Sequence, residues 1–195
     1  MGTTIPLKNK EDIRKLKQFF LDNGQIRNYA IVTLGVNTSM RISDLLQLCW
    51  GDVYMFRGNR YRQHICIVEQ KTNKISNIPL NDEVMKALEM LKNDNQKKQI
   101  IKETDYLFKG KGKTNKPLSR TQVYRIITKA AKDLNMEGII SCHSMRKTFG
   151  YHAWKQGVPP ALIMSIYNHS SLEVTKHYLS IDQEDKDEVF MNLNL

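Results

Sequence analysis

Residues 143–149 read His-Ser-Met-Arg-Lys-Thr-Phe, at the head of a stretch whose spacing predicts a helix from His143 to Gln156, ended by Gly157. Three residues apart on such a helix, the His143 imidazole and the Arg146 guanidinium share one face and can converge on one anion. Taken alone, the pair fits a surface or structural role better. Working back toward the N-terminus, Ser119 and Gln122 form a capping box. Behind it Val123, Ile126, Ile127, Ala130 and Leu134 mark an amphipathic helix. Working forward, Pro159 or Pro160 suits the first turn of a helix that runs to about Tyr167. Ser170 with Glu173 caps a further short helix through Leu179. An acidic stretch follows at Asp182, Glu184, Asp185, Asp187 and Glu188, which reads as a solvated connection. Val189, Phe190, Met191, Leu193 and Leu195 then suit a greasy terminal helix.

The first half of the chain has a different texture. Met1 to Leu7 reads as a loose lead-in, and Asn9 with Asp12 resembles a capping box. Ile13, Leu16, Phe19 and Phe20 recur at helical spacing before Gly24 stops them. Residues 25–36 form a second, mostly apolar helix, and Leu45, Leu46 and Leu48 sit on a short third helix from near Ser43. After Gly51 the pattern becomes extended, with strands expected at Asp52–Tyr54, Tyr61–Glu69 and Lys74–Leu80. Gly58-Asn59 makes the first turn and Lys71-Thr72-Asn73 the second. Asp82–Asn93 is helical again, and Lys97 to Asn115 shows little period. The fold class is α+β, mainly α, with one small three-stranded antiparallel sheet.

The chain has 195 residues, enough for one compact domain, and 41% hydrophobic with 26% charged residues excludes wholesale disorder. Thirty Lys and Arg against 20 Asp and Glu leave a net charge of +10, which favours a polyanionic partner, nucleic acid first and an acidic membrane surface second. The three cysteines, Cys49, Cys66 and Cys142, have no short metal spacing and read as reduced, mostly buried thiols of a cytoplasmic protein. No stretch approaches the roughly 20 apolar residues that a membrane span requires, and no signal-peptide core opens the chain.

Three further segments carry chemical groups. Arg41-Ile42-Ser43-Asp44-Leu45-Leu46 places an arginine at the mouth of a helix, and the plain reading pairs it with Asp44. Lys71-Thr72-Asn73-Lys74 forms a turn between strands, where lysines are usually just solvated. His169-Ser170-Ser171 sets an imidazole before a helix, with Tyr178 about two turns along it.

Each segment is weak alone, but their order is distinctive. Arg, Lys, His-x-x-Arg, His, Tyr is the order of the active-site residues in the tyrosine recombinases, or phage integrase family, and the resemblance runs from about Arg27 to Leu179. Met40-Arg41-Ile42-Ser43-Asp44-Leu45 resembles that family's first arginine box, and residues 143–149 its His-x-x-Arg box. Asn168-His169-Ser170-Ser171 through Thr175 and Tyr178 resembles the segment that ends in the nucleophile. One departure is Asn168, where the family typically has glycine; asparagine tolerates left-handed backbone.

The resemblance implies that Arg41 and Arg146 grip the phosphate, that His143 and His169 are the two active-site histidines, and that Tyr178 is the nucleophile. It puts Asp44 at the acidic position that orients the first arginine and its neighbours. It makes Lys71 the hairpin lysine, with Lys74 as the competitor for that role. It implies DNA cleavage and rejoining through a covalent 3′-phosphotyrosine, with no metal, cofactor or ATP. The implied partners are double-stranded recombination sites, paired by a homo-tetramer, the free protein being a monomer or weak oligomer.

Between Lys109 and Lys132 lie eight basic residues and no acidic one, and Arg120, Arg125, Lys129 and Lys132 of this run are expected to meet DNA. Arg57, Arg60 and Arg62 form a second basic cluster at the first hairpin. The expected organisation is one catalytic domain over 1–195, with a core at about 8–180 and a C-terminal tail or helix at 181–195 that can exchange between protomers. No separate N-terminal core-binding domain is expected, which fits an excised catalytic fragment or a natural short recombinase. The rival readings are topoisomerase-like nicking and resealing, a catalytically silent DNA-binding regulator of the same fold, and an RNA- or membrane-binding basic protein.

Overall fold

The computed structural model describes residues 3–110, 112, 114–181 and 183–193. Ten α-helices and four short strands follow in chain order among them. The first helix, α1 (Lys10–Asp22), starts where the Asn9 side chain accepts the Glu11 amide, and it buries Leu16 and Phe20. The second, α2 (Ile26–Asn37), is buried from Asn28 to Gly35. It is the axis of the domain, packing against α1, α5 (Asp82–Gln96) and α7 (Cys142–Lys155). Two short helices, α3 (Ile42–Gln47) and α4 (Trp50–Val53), lead from it into the extended region.

That region holds two sheets of two strands, not one of three. Tyr54–Met55 (β1) pairs antiparallel with Arg60–Tyr61 (β2), and His64–Val68 (β3) with Ile75–Pro79 (β4). The chain breaks at Arg62-Gln63, where other partners take the backbone. The Arg62 amide donates to the Val53 carbonyl, the Arg62 side chain donates to the Gly51 carbonyl, and Leu80 donates to the Gln63 carbonyl. Asp52 is not in a strand either. Its carboxylate accepts the Cys49 amide and so caps α4.

Downstream, the Ser119–Gln122 capping box opens α6 (Arg120–Asp133), as expected, and Val123, Ile127, Ala130 and Ala131 form its buried face. Short α8 (Pro160–Ile166) and α9 (Leu172–Leu179) pack on α7. Their contact forms a second small core of Ile163, Tyr167 and Leu179, with Phe149, Trp154 and Tyr178 at its edge. Gly150 on α7 permits this. A Cβ there would lie 2.3 Å from the Tyr167 hydroxyl and 2.9 Å from its ring.

Two expectations about the flanks need correction. Residues before α1 are not a loose lead-in: Leu7 is buried, its amide donates to Thr148 Oγ1 at 2.8 Å, and Lys147 Nζ donates to the Thr4 carbonyl at 2.7 Å. Met1 and Gly2 lie outside the described residues. The acidic stretch is not a solvated connection but begins α10 (Gln183–Asn192). Asp185 is buried there, 3.0 Å from Lys8 Nζ, 3.3 Å from Lys155 Nζ and 3.1 Å from the Tyr151 hydroxyl. Phe190, Met191 and Leu193 on the same segment stay exposed, and Leu195 lies outside the described residues. Of the cysteines, Cys142 is buried, Cys49 is partly so and Cys66 is exposed; all three are free.

Gly150→Ala must displace the Tyr167 ring, which is fully buried. Overpacking of this kind costs about 1–3 kcal/mol. Urea denaturation is expected to show that loss. Gly35→Ala, which meets the flexible Met145 side chain at 2.8 Å, is expected to cost less.

Candidate active site

Four segments converge where α7 begins. Arg146, 3% exposed on α7, donates through Nη2 to the Tyr167 carbonyl at 2.8 Å and through Nη1 to the Ser39 carbonyl. Ser39 has φ of +55°, a left-handed turn just before the Arg41 segment. Arg41, the residue preceding α3, donates through Nη2 to the same Tyr167 carbonyl at 3.4 Å. Tyr167 follows the last turn of α8, where helix carbonyls lack intrahelical partners and cations are favoured. Its ring also lies against Arg146, 4.6 Å from ring centroid to guanidinium carbon.

Arg41 pairs with Glu69, not with Asp44. Glu69 is buried at the end of the second hairpin and also accepts from Thr72 Oγ1 at 2.7 Å, Ser76 Oγ at 2.9 Å and Asn168 Nδ2 at 3.0 Å. Burial alone would raise its pKa; the bonds from Thr72, Arg41, Asn168 and Ser76 overcome that and bring it down to about 2. Asp44, also buried, accepts the Gln70 amide at 3.1 Å. It therefore fixes the hairpin turn beside Lys71 rather than the arginine.

Tyr178, on α9, has its hydroxyl 3.4 Å from His143 Nδ1. Its ring packs 5.4 Å from Tyr167 and 5.0 Å from His169, and Lys147 Nζ lies 5.6 Å from its centroid. His169 Nδ1 lies 3.1 Å from Thr175 Oγ1. Because that hydroxyl is itself directed at the Ser171 carbonyl, the contact fits Nδ1 as the donor, which leaves Nε2 an acceptor. Lys71 is exposed on the hairpin turn, and its positive charge bears on both His143 and His169.

Burial and this crowd of cations together keep the histidines neutral. Burial first, then Arg146, Arg41 and Lys71, push His169 down to about 4. Burial and then Arg120, Lys147, Arg146 and Lys71 lower His143. Arg120 thus faces the site from the first turn of α6, while Arg125, Lys129 and Lys132 are exposed farther along the same helix.

The structure therefore gathers Arg41, Arg146, His143, His169 and Tyr178 in one place, with Lys71 at its rim. Glu69 and Tyr167 are the site residues that sequence reading missed. The Tyr167 contribution is a backbone carbonyl, which leaves no mark on residue type. Glu69 directly follows a hairpin strand, where an acidic residue reads as solvated; its burial shows only in the structure. Among the described residues no group of three or more His, Cys, Asp or Glu side chains could hold a metal ion.

The family model described as the phage integrase family matches residues 8–185. The chain belongs to the phage integrase family. Within it, the chain is 35% identical over 184 residues to the "Probable integrase/recombinase YoeC" of Bacillus subtilis, covering 94% of this chain and 93% of that protein. It is 24% identical to the tyrosine recombinase XerD of Halalkalibacterium halodurans, covering 89% of this chain but only 56% of XerD. The crystal structure of the XerA recombinase superposes with a TM-score of 0.78 at 19% identity, covering this whole chain and 67% of that one. XerH bound to a palindromic difH substrate gives 0.75 at 18% identity, covering 98% and 54%. These likenesses show the phage integrase fold.

His169 generates a stability prediction whose sign follows from its depressed pKa. The unfolded chain, with histidine near 6.5, binds the proton first, so acid favours unfolding. Stability is expected to fall as pH drops from about 6.5 to about 4, and His169→Gln is expected to flatten part of that slope in urea titrations. Glu69 adds a separate loss lower down, between about 4.5 and about 2.

Proposed function

We propose that this protein is a site-specific DNA recombinase that cleaves and rejoins DNA through a covalent 3′-phosphotyrosine on Tyr178. The observation that carries this reading is one arrangement: the Tyr178 hydroxyl beside His143, with Arg41 and Arg146 meeting on a single carbonyl. Two guanidiniums that already share one oxygen are spaced to share the non-bridging oxygens of a phosphodiester. Their planar forks match that geometry and stabilise the charge that builds in the transition state.

Tyr178 Oη attacks phosphorus in line, and the bond to the 5′ oxygen breaks. Neutral His143 takes the tyrosine proton, and Lys71 supplies one to the leaving 5′ oxygen. His169, neutral in the free chain, takes a proton from solvent on Nε2 as the negative phosphate arrives and donates it in a hydrogen bond to a non-bridging oxygen. The phosphotyrosine bond conserves the energy of the broken linkage, so a second 5′ hydroxyl reverses the step without ATP. The arginines supply the positive charge that a metal supplies in other phosphoryl-transfer sites.

Arg120, Arg125, Lys129 and Lys132 lie on exposed positions of α6, whose first turn bears on the site through Arg120, and are assigned to the DNA backbone. Arg57, Arg60 and Arg62 at the first hairpin are exposed as well. A homo-tetramer on paired sites is the working assembly, and exposed Phe190, Met191 and Leu193 on and after α10 suit contact with a neighbouring protomer. The described residues include no helix long and apolar enough to cross a membrane. Action on DNA places the protein in the cytoplasm, on the nucleoid.

A nicked suicide site, which loses the 5′ hydroxyl needed for rejoining, is expected to trap a denaturant-stable protein–DNA adduct. Tyr178→Phe removes only the hydroxyl and is expected to bind DNA normally and trap none. A normal adduct yield from that variant rejects Tyr178 as the nucleophile. DNA affinity is expected to fall steeply with salt, by about 0.9 in the log–log slope for each phosphate neutralised. Neutralising Arg120, Arg125 and Lys129 together is expected to flatten the slope by up to ~3.

A further inference from the structure

Glu69 is saturated with donors, and the donors come from three separate parts of the fold. Oε2 takes Arg41 and Thr72, while Oε1 takes Ser76 and Asn168. A carboxylate offers about four acceptor positions, and all of them are filled. Thr72 and Ser76 belong to the hairpin that carries Lys71, and Arg41 to the mouth of α3. Asn168 sits between Tyr167, whose carbonyl receives both arginines, and His169. A single carboxylate therefore joins the hairpin, the first arginine and the turn that holds the second histidine.

Of these donors only Asn168 reaches Glu69 from the α8–α9 turn. Its φ of +54° turns the side chain toward the hairpin, where Nδ2 bonds Glu69 at 3.0 Å and lies 3.3 Å from Ser76 Oγ. The amide orientation is fixed chemically, because an ionised carboxylate can only accept. Without this bond, Oε1 keeps only the hairpin hydroxyl. The carboxylate is then free to turn about its soft terminal torsion, and Oε2 takes Arg41 with it.

We infer that Asn168 and Glu69 are positioning residues that set the Arg41 guanidinium for the scissile phosphate. Neither touches the phosphate in this account; both act through Arg41. The inference rests on the recombinase reading of the same site.

The test uses two variants at position 168 that keep its backbone. Asn168→Gly adopts positive φ without strain and deletes the amide. Asn168→Asp tolerates the same backbone but turns a second acceptor on Glu69. Single-turnover cleavage of the nicked site, at saturating DNA, is expected to slow by on the order of 10- to 100-fold in both, the cost of a misplaced catalytic group. DNA affinity is expected to match wild type. The decisive readout is a cycle with Arg41→Lys. In that background Asn168→Gly is expected to slow cleavage by no more than about 2-fold, because the group it positions is already gone.

Wild-type cleavage rates in Asn168→Gly, or penalties that multiply in the double variant, overturn the inference. So does loss of DNA binding in both position-168 variants, which marks a folding role. The parent reading fails differently: wild type then forms no adduct, or forms one that survives Tyr178→Phe.

Discussion

The peptide carbonyl of Tyr167 receives two guanidiniums, and the geometry of the site depends on that shared acceptor. Arg41 and Arg146 repel each other, and Arg146 is also buried; both effects disfavour its charge. What offsets this is a set of oxygens already in place: the carbonyls of Tyr167 and Ser39 and the carboxylate of Glu69. The site therefore holds its positive charge on backbone dipoles, with one neutralising carboxylate set to the Arg41 side. An anion that enters relieves a repulsion the fold has already paid for, and the arginines need not reorganise to receive it.

Burial, and after it the same crowding of cations, keeps both histidines neutral in the free chain. Their neighbours are arginines and lysines, so any proton on the imidazoles is disfavoured until negative charge arrives. Tyr178 is held between the Tyr167 and His169 rings, with the Lys147 ammonium near its own ring, on the edge of the small core that Gly150 allows. Packing places the hydroxyl, and electrostatics prepares what surrounds it.

Local signals made most of the helical framework legible. Asn9, Ser119 and the proline at 160 each mark a helix start that the structure confirms. The catalytic-type residues were legible through their order, and they do meet in space. The sheet was misread because Tyr61 and the apolar run Ile65–Val68 were joined across Arg62-Gln63-His64, while the break at Arg62-Gln63 comes from backbone partners elsewhere in the chain. Glu69 was not legible because two of its partners lie 28 and 99 residues away. The acidic stretch misled for a similar reason. Its charge suggests solvent, yet Asp185 is buried against Lys8, 177 residues earlier. The departure at Asn168 was visible in sequence as a tolerated exception; only the structure shows its side chain bound to Glu69.

The segment around Leu7 has a consequence for how the protein is made. Its hydrogen bonds reach Thr148 and His152, at sequence separations of 141 and 145, and Lys8 reaches Asp185. Contacts this distant in sequence form late, because loop closure must come before they stabilise anything. During synthesis, the residues that strap α7 leave the ribosome well before the helix they hold. The helix bearing Arg146 is therefore clasped only once the chain has been made through Thr148 and His152.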